Sequence, residues 1–212
     1  TNFAAGRDAY DLAVGLEIES VTQAGFTRMQ SPFVIIGESG KGKTNTLKVL
    51  LHQMIGQGMA YIFDSSAMSL YSYQDKEGIT YVQDEDEFED FLDAMKELCE
   101  VRKNQCKPVY IVIDDIDQFL ISGKTFEDIL YDIMTDSAEC GVGIIITVHS
   151  AKLKSFDPLS KWVKAAAHGL VLSPQGTLNI FPVRTQREYP QMGQGLLFHN
   201  GEYVRVQLPE CR

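Results

Sequence analysis

A glycine-bracketed turn between an apolar run and a helical pattern constrains this chain more than any other feature. The run "FVIIG", residues 33–37, is apolar and partly β-branched, which is typical of a buried parallel strand. After the turn, Leu47, Leu50, Leu51 and Met54 recur at helical spacing. The sequence therefore predicts an α/β unit in which an almost bare backbone leads from a strand directly into a helix.

The turn matches the phosphate-binding pattern G-x-x-x-x-G-K-[ST] from Gly37 to Thr44 without a mismatch. Glycines let successive N–H groups face an anion, and a helix start adds free donors and the positive end of its dipole. The alternative, a glycine-rich turn that only resembles the pattern, rarely lies between a strand and a helix. We expect Lys43 to contact the outer phosphates of ATP and the Thr44 hydroxyl to bind Mg²⁺. The residues expected to surround the nucleotide are Gly37, Glu38, Ser39, Gly40, Lys41, Gly42, Lys43, Thr44 and Asn45.

The segment "PVYIVIDDIDQFL", residues 108–120, supplies the acidic strand end that a nucleotide-bound metal needs. We expect Asp114 to hold Mg²⁺, usually through water. A solvent-facing acidic strand end is the alternative, and the phosphate motif makes it less favoured. Asp115 stands where many ATPases of this type have a glutamate that orients the attacking water, and it is the candidate catalytic residue. Its side chain is shorter, and a displacement of about 1 Å can cost on the order of 100-fold in rate, so hydrolysis is expected to be slow or absent.

The segment "VGIIITVHS", residues 142–150, predicts a further buried strand with a polar end. The carboxyl ends of parallel strands share one edge of a sheet, where ligands collect. His149 is therefore a candidate sensor of the γ-phosphate, and a hydrogen-bonded structural histidine is the alternative.

The rest of the chain alternates strand and helix patterns. Residues 84–105 and 125–141 predict amphipathic helices, and the acidic start of the first suits a helix dipole better than a metal site. The fold class is α/β, a P-loop NTPase with a mostly parallel sheet and helices on both faces. We expect one domain over residues 1–212, with an N-terminal hairpin at about 12–30, a nucleotide core at about 31–150 and closing strands at about 151–212. The lack of an initiator Met suggests a fragment of a larger protein.

Composition limits the partners. The net charge is −10, from 19 basic and 29 acidic residues, whereas a chain that wraps nucleic acid usually carries a basic excess. No nucleic-acid partner is therefore expected. No run approaches the roughly 18 apolar residues of a membrane span. The four cysteines lie far apart without CxxC spacing, which favours free thiols over zinc ligands.

With both motifs placed, the chain resembles FtsK/SpoIIIE-type P-loop ATPases, whose sheet is RecA/FtsK-like. More narrowly, it resembles the C-terminal, third ATPase domain of the EssC/EccC family, the membrane motors of type VII secretion. Three segments carry this resemblance beyond the phosphate motif, and they are "GLEIESV" (15–21), "IDDIDQF" (113–119) and "GQGLLFHNGEYVRVQLPE" (193–210).

The resemblance implies a multi-domain parent protein, anchored in the bacterial plasma membrane, with this domain on the cytosolic face. It implies WXG100-class secreted proteins and the other ATPase domains of the same chain as partners, with a hexamer as the candidate homo-oligomer. Domains of this kind often bind ATP tightly and hydrolyse it poorly. Arg184 or Arg187 could act in trans on a neighbouring site, or be an ordinary surface arginine. The alternative function is a DNA-translocating ATPase of the FtsK type, which would need basic pore loops that the sequence does not show.

Overall fold

The computed structural model describes residues 10–28, 30–64, 68–82, 87, 108–116, 141–153, 161, 163, 165–172 and 190–211. The helices predicted over 84–105 and 125–141 lie outside these residues, except for Glu87 and Gly141, and so do Arg184 and Arg187. The described elements are strands β1 (Leu12–Glu17), β2 (Gln23–Phe26), β3 (Phe33–Gly37), β4 (Met59–Phe63), β5 (Ile79–Val82), β6 (Val109–Ile113), β7 (Val142–His149), β8 (His168–Val171), β9 (Gln194–His199) and β10 (Glu202–Gln207), helix α1 (Lys43–Met54), and 3₁₀ turns at Tyr71–Tyr73 and Ser150–Lys152.

All ten strands belong to one sheet, in the order β2-β1-β10-β9-β8-β3-β7-β6-β4-β5. The strands from β8 to β5 in this order run parallel to one another. Strands β9, β10, β1 and β2 continue the sheet by antiparallel pairing. The parallel half holds the strand before the glycine turn and the strand before the acidic pair, as the sequence predicts.

Strand β3 lies where the chain changes direction across the sheet. After β3 the chain passes through α1 to β4, on the far side of β7 and β6, and later returns to β8 on the other side of β3. Such a reversal opens a crevice at the carboxyl ends of the strands. The register aligns these ends, because Gly37 pairs with His149 and Ile113 pairs with Ile146. The predicted site residues of three strands therefore meet at one edge.

The central parallel strands β3, β6 and β7 are buried on both faces, which their continuous apolar runs predict. Val34 and Ile36 pack into one core cluster, which also includes Val163 and Ala166. Ile35 faces the opposite cluster, which α1 covers with the side chains Leu47, Leu50, Leu51 and Met54. The helical spacing that predicted α1 is thus the spacing of its buried face.

Helix α1 is also hydrogen-bonded to the antiparallel half of the sheet. The Gln53 side chain accepts a bond from the Ala13 N–H at 2.9 Å and donates one to the Ala13 carbonyl at 2.8 Å. This pair joins the last turns of α1 to β1. None of the described helices is long and apolar enough to cross a membrane.

Candidate nucleotide-binding site

The loop between β3 and α1 presents unpaired backbone amides. Gly40 and Gly42 have φ values of 75° and 103°, in the left-handed region that glycine tolerates best. The first helical hydrogen bond runs from the Thr46 N–H to the Gly42 carbonyl at 2.9 Å. Before it, the amides of Gly40, Gly42, Lys43, Thr44 and Asn45 have no partner among the described residues. The first turn of α1 also has no acidic side chain, so its positive dipole end is not neutralised locally.

Lys43 lies at the start of α1 with only 7% of the residue exposed. Its Nζ is 3.6 Å from Asp115 Oδ1, which makes an ion pair across the two motifs. A buried ammonium needs an anionic partner, and here the partner is the carboxylate expected to act in hydrolysis.

Asp114 receives hydrogen bonds from three hydroxyl groups. It is 1% exposed, and its Oδ1 accepts a bond from Thr147 Oγ1 at 2.6 Å. Its Oδ2 accepts bonds from Thr44 Oγ1 at 3.2 Å and from Ser69 Oγ at 3.1 Å. Burial raises the pKa of Asp114, the Asp115 charge raises it further, and the hydroxyl bonds act in the opposite direction. The structure thus places both expected metal ligands, Thr44 and Asp114, in direct contact.

Asp115 leaves the end of β6 with a φ of 50°. Its N–H donates to Thr147 Oγ1 at 2.7 Å, so one hydroxyl holds both members of the acidic pair. Asp115 Oδ1 is buried and makes no hydrogen bond to any described residue, although it pairs electrostatically with Lys43.

Two further predicted residues have side chains engaged elsewhere. His149 Nδ1 accepts a bond from the Ala151 N–H at 3.2 Å and caps the 3₁₀ turn, as the structural reading of this histidine expects. Its Nε2 makes no hydrogen bond within the described residues, so the sensor hypothesis stays a prediction. The Asn45 side chain donates to the Pro209 carbonyl at 2.9 Å and accepts from the Cys211 N–H at 2.9 Å. Only the backbone of Asn45 is therefore free for a phosphate.

Asp64 is a buried carboxylate that belongs to neither of the two sequence motifs. It follows β4, is 5% exposed, and its Oδ2 accepts bonds from the Leu70 N–H at 2.6 Å and the Tyr81 hydroxyl at 2.7 Å. Burial raises the pKa of Asp64, and the Asp114 charge adds to the rise. Burial, followed by the bond to Asp64, also raises the pKa of Tyr81. In the sequence, these contacts are indicated by polar residues at the end of an apolar strand or within one, such as Thr147 in β7.

The residues present fit a magnesium–nucleotide complex. Mg²⁺ prefers oxygen ligands and usually takes one or two from protein, with the rest from water and phosphates. The described residues contain no group of three or more His, Cys, Asp or Glu that could hold a metal alone. Thr44 and Asp114 would supply the protein oxygens, and the unpaired amides and Lys43 would meet the phosphates.

A family model described as the Poxvirus A32 protein matches residues 19–153, which include the phosphate loop and the acidic strand end. The chain belongs to the Poxvirus A32 protein family. This A32-family chain is also 26% identical, over 97% of its length, to the ESX secretion system protein YukB of Bacillus subtilis (strain 168). It is 20% identical, over 94% of its length, to the ESX secretion system protein EccC of Geobacillus thermodenitrificans (strain NG80-2). It spans 15% of the length of each of these two relatives.

Solved structures share the fold of the A32-family chain. The cytoplasmic domain of EssC superposes with a TM-score of 0.87 at 19% identity, covering 100% of this chain and 46% of that one. EccC ATPases 2 and 3 of Thermomonospora curvata, in complex with a signal sequence peptide, give 0.78 at 17% identity, covering 95% and 40%. The pCW3 conjugation coupling protein TcpA with ATPγS gives 0.75 at 14% identity, covering 95% and 66%. The predicted fold class is confirmed, and so is the predicted resemblance to the EssC/EccC secretion ATPases.

Proposed function

We propose that this chain binds Mg·ATP at the loop between β3 and α1 and hydrolyses it slowly or not at all. The observation that carries the proposal is the contact between Thr44 and Asp114, 3.2 Å between oxygens, beside a turn of unpaired amides. Hard oxygen ligands for a cation and free N–H donors for an anion lie side by side. Few ligands other than a metal-bound phosphate need both.

Each group has a role that its position supports. The amides of the loop bind phosphate oxygens, and Lys43 exchanges its pairing with Asp115 for the outer phosphates. Bound Mg²⁺ neutralises charge on those phosphates. Thr147 orients Asp114 and Asp115 together through one hydroxyl. Asp115, once released from Lys43, is the group that would polarise a water, and its short side chain supports slow turnover.

The wider function proposed is that of one ATPase domain in a larger type VII secretion motor. Two relatives are ESX secretion proteins, and the chain spans 15% of the length of each, which supports a larger multi-domain protein. That larger protein would be anchored in the plasma membrane, and residues 1–212 would form one of its cytosolic domains. Within this domain the N-terminal hairpin, the nucleotide core and the closing strands would meet at about residues 30 and 150. Its partners would be WXG100-class proteins, the other ATPase domains and further copies in a hexamer. One related EccC was solved with a signal sequence peptide, which supports recognition of cargo by such domains.

Calorimetric titration with Mg·ATPγS tests the proposal. We expect the parent chain to bind and Lys43→Ala to bind at least roughly 10-fold more weakly, because a hydrogen bond to a charged group contributes about 1.5–3 kcal/mol. Lys48→Ala, one helical turn further along α1, is the matched control and should bind like the parent. Equal affinity of parent and Lys43→Ala would refute the assignment of the phosphate loop.

A second measurement separates this function from DNA translocation. Labelled DNA duplex should show no salt-dependent shift with the chain at micromolar concentration, because the net charge is −10. A clear shift that salt weakens would favour the DNA-translocating alternative.

A further inference from the structure

Asp64 lies beside Asp114 at the edge of the sheet that carries the phosphate loop. Strand β4 pairs with β6 in a register that sets Phe63 opposite Ile113, and the Asp114 N–H donates to the Phe63 carbonyl at 2.9 Å. The residues that follow these two strands are therefore neighbours. Both are 5% exposed or less, so the edge contains two adjacent buried carboxylates.

One oxygen of Asp64 anchors the turn that reaches Asp114. Asp64 Oδ2 accepts the bonds from the Leu70 N–H and the Tyr81 hydroxyl, which fixes the start of the 68–73 segment. Ser69, the residue before Leu70, donates its hydroxyl to Asp114 Oδ2 at 3.1 Å. Asp64 is thus connected to the expected metal ligand through the Ser69–Leu70 turn.

The other oxygen of Asp64 has no hydrogen-bond partner within the part of the chain that the structure describes. Asp64 Oδ1 is buried without a donor, and the other carboxylate oxygen in this condition among the described residues is Asp115 Oδ1. Both belong to neighbours of Asp114: Asp64 follows the adjacent strand β4, and Asp115 follows Asp114 in sequence. A buried acceptor without a donor costs about 1–3 kcal/mol, more if it is charged. A donor that arrives with the ligand would remove this cost, and water bound to a divalent cation is such a donor because Mg²⁺ keeps several of its waters.

We propose that Asp64 is a positioning residue of the metal–nucleotide site. Its Oδ2 fixes the Ser69–Leu70 turn, and its Oδ1 accepts a hydrogen bond from a water molecule on the Mg²⁺ that Thr44 and Asp114 hold. This inference rests on the proposed function. The competing explanation is that Asp64 only anchors the turn, and it predicts an effect on stability with no effect on the metal.

Two variants separate the two explanations. Asp64→Asn keeps one oxygen for Leu70 and Tyr81 but replaces the second by an amide that donates instead of accepting. Tyr81→Phe removes one bond to Oδ2 and leaves Oδ1 unchanged. The measurement is calorimetric binding of ATPγS, first in EDTA and then over a series of Mg²⁺ concentrations, so no turnover is needed. Circular dichroism confirms that each variant is folded.

We expect Asp64→Asn to bind metal-free ATPγS with the affinity of the parent. It should need roughly 10-fold more Mg²⁺ for the same gain in ATPγS affinity, which is the usual effect of losing a group that supports a metal ligand. Tyr81→Phe should keep the Mg²⁺ dependence of the parent. If Asp64→Asn shows the same Mg²⁺ dependence as the parent, Asp64 only anchors the turn, and the proposed function stands. If the parent binds no ATPγS with or without Mg²⁺, the proposed function itself fails. Should Asp64→Asn not fold, Asp64→Ser, whose single hydroxyl serves the turn, replaces it with the same expected result.

Discussion

The Asp115 carboxylate, which is the predicted group for activating a water, is paired with Lys43. Its N–H is held by Thr147 and its φ is 50°, so the backbone directs this side chain back towards the start of α1. If the site binds a nucleotide as proposed, the outer phosphates would replace Asp115 as the partner of Lys43. The Asp115 carboxylate would then face the phosphates as a like charge, which would oppose binding.

Asp115→Asn should bind Mg·ATPγS a few-fold more tightly than the parent. Ion pairs that are partly exposed contribute about 0.2–1 kcal/mol, and Asp115 is 33% exposed in its side chain. Calorimetry measures the affinity, and Asp75→Asn, an exposed change on the turn before β5, is the control. Phosphate release by the parent should be well under the roughly 10 s⁻¹ typical of enzymes, and slower still in Asp115→Asn. Weaker binding by this variant would show that Asp115 helps to hold the nucleotide.

At the scale of single elements, α1 is the part of the molecule that joins the site to its surroundings. Its first turn contributes Lys43, Thr44 and Asn45, and its last turns are bonded to β1 through Gln53. The Asn45 side chain adds a second attachment, to residues 209–211. Helix α1 is thus bonded to β1 near its end and to the segment that follows β10 at its start.

Asn45→Ala should lower the free energy of unfolding by roughly 1–3 kcal/mol, because it removes two hydrogen bonds that are each worth about 0.5–1.5 kcal/mol. Chemical denaturation measures this change. Affinity for Mg·ATPγS should stay close to that of the parent, since the Asn45 N–H is retained. Asn45→Asp keeps the acceptor for Cys211 and loses the donor to Pro209. Its free energy of unfolding should therefore lie between those of the parent and of Asn45→Ala. A loss of affinity as large as that of Lys43→Ala would contradict the structure and place the Asn45 side chain on the nucleotide.

The elements around the site were predictable where local pattern determines them. The apolar runs of β3, β6 and β7 and the helical spacing of α1 need no information about distant residues. The position of Asp64 beside Asp114 could not be predicted, because it depends on β4 lying next to β6. The same limit applies to Ser69, whose partner Asp114 is 45 residues away in sequence.

At the scale of the whole molecule, the sheet joins a parallel half with the site to an antiparallel half without it. The junction is β8, which pairs in parallel with β3 and antiparallel with β9. Strand β1 lies beside β10, with Leu16 opposite Gln207, so sequence-distant segments complete this half. Hairpin patterns predicted these strands, but their order follows from long-range pairing that a single sequence does not reveal. Helix α1 is the second link between the halves.

Binding of Mg·ATPγS should therefore slow amide hydrogen exchange beyond the phosphate loop. We expect added protection in β1 and in residues 208–211, because both are hydrogen-bonded to α1. Strand β9, which has no hydrogen bond to α1 or to the site residues among the described contacts, serves as the internal control. Protection limited to residues 37–47 would show that α1 does not couple the two halves. Mass spectrometry of peptic fragments, with and without ligand, makes the comparison.

Gly40 and Gly42 also show why the phosphate loop needs glycine at these two positions. A Cβ built on Gly40 or Gly42 would have no atom within 4 Å, so lack of room is not what excludes larger residues. The obstacle is handedness, because positive φ is strained for L-amino acids and ordinary for their mirror images. A chemically synthesised loop with D-alanine at these positions should keep its shape, whereas L-alanine should bend it. The ability of this loop to bind an anion would therefore depend on the handedness of its main chain and not on the space around it.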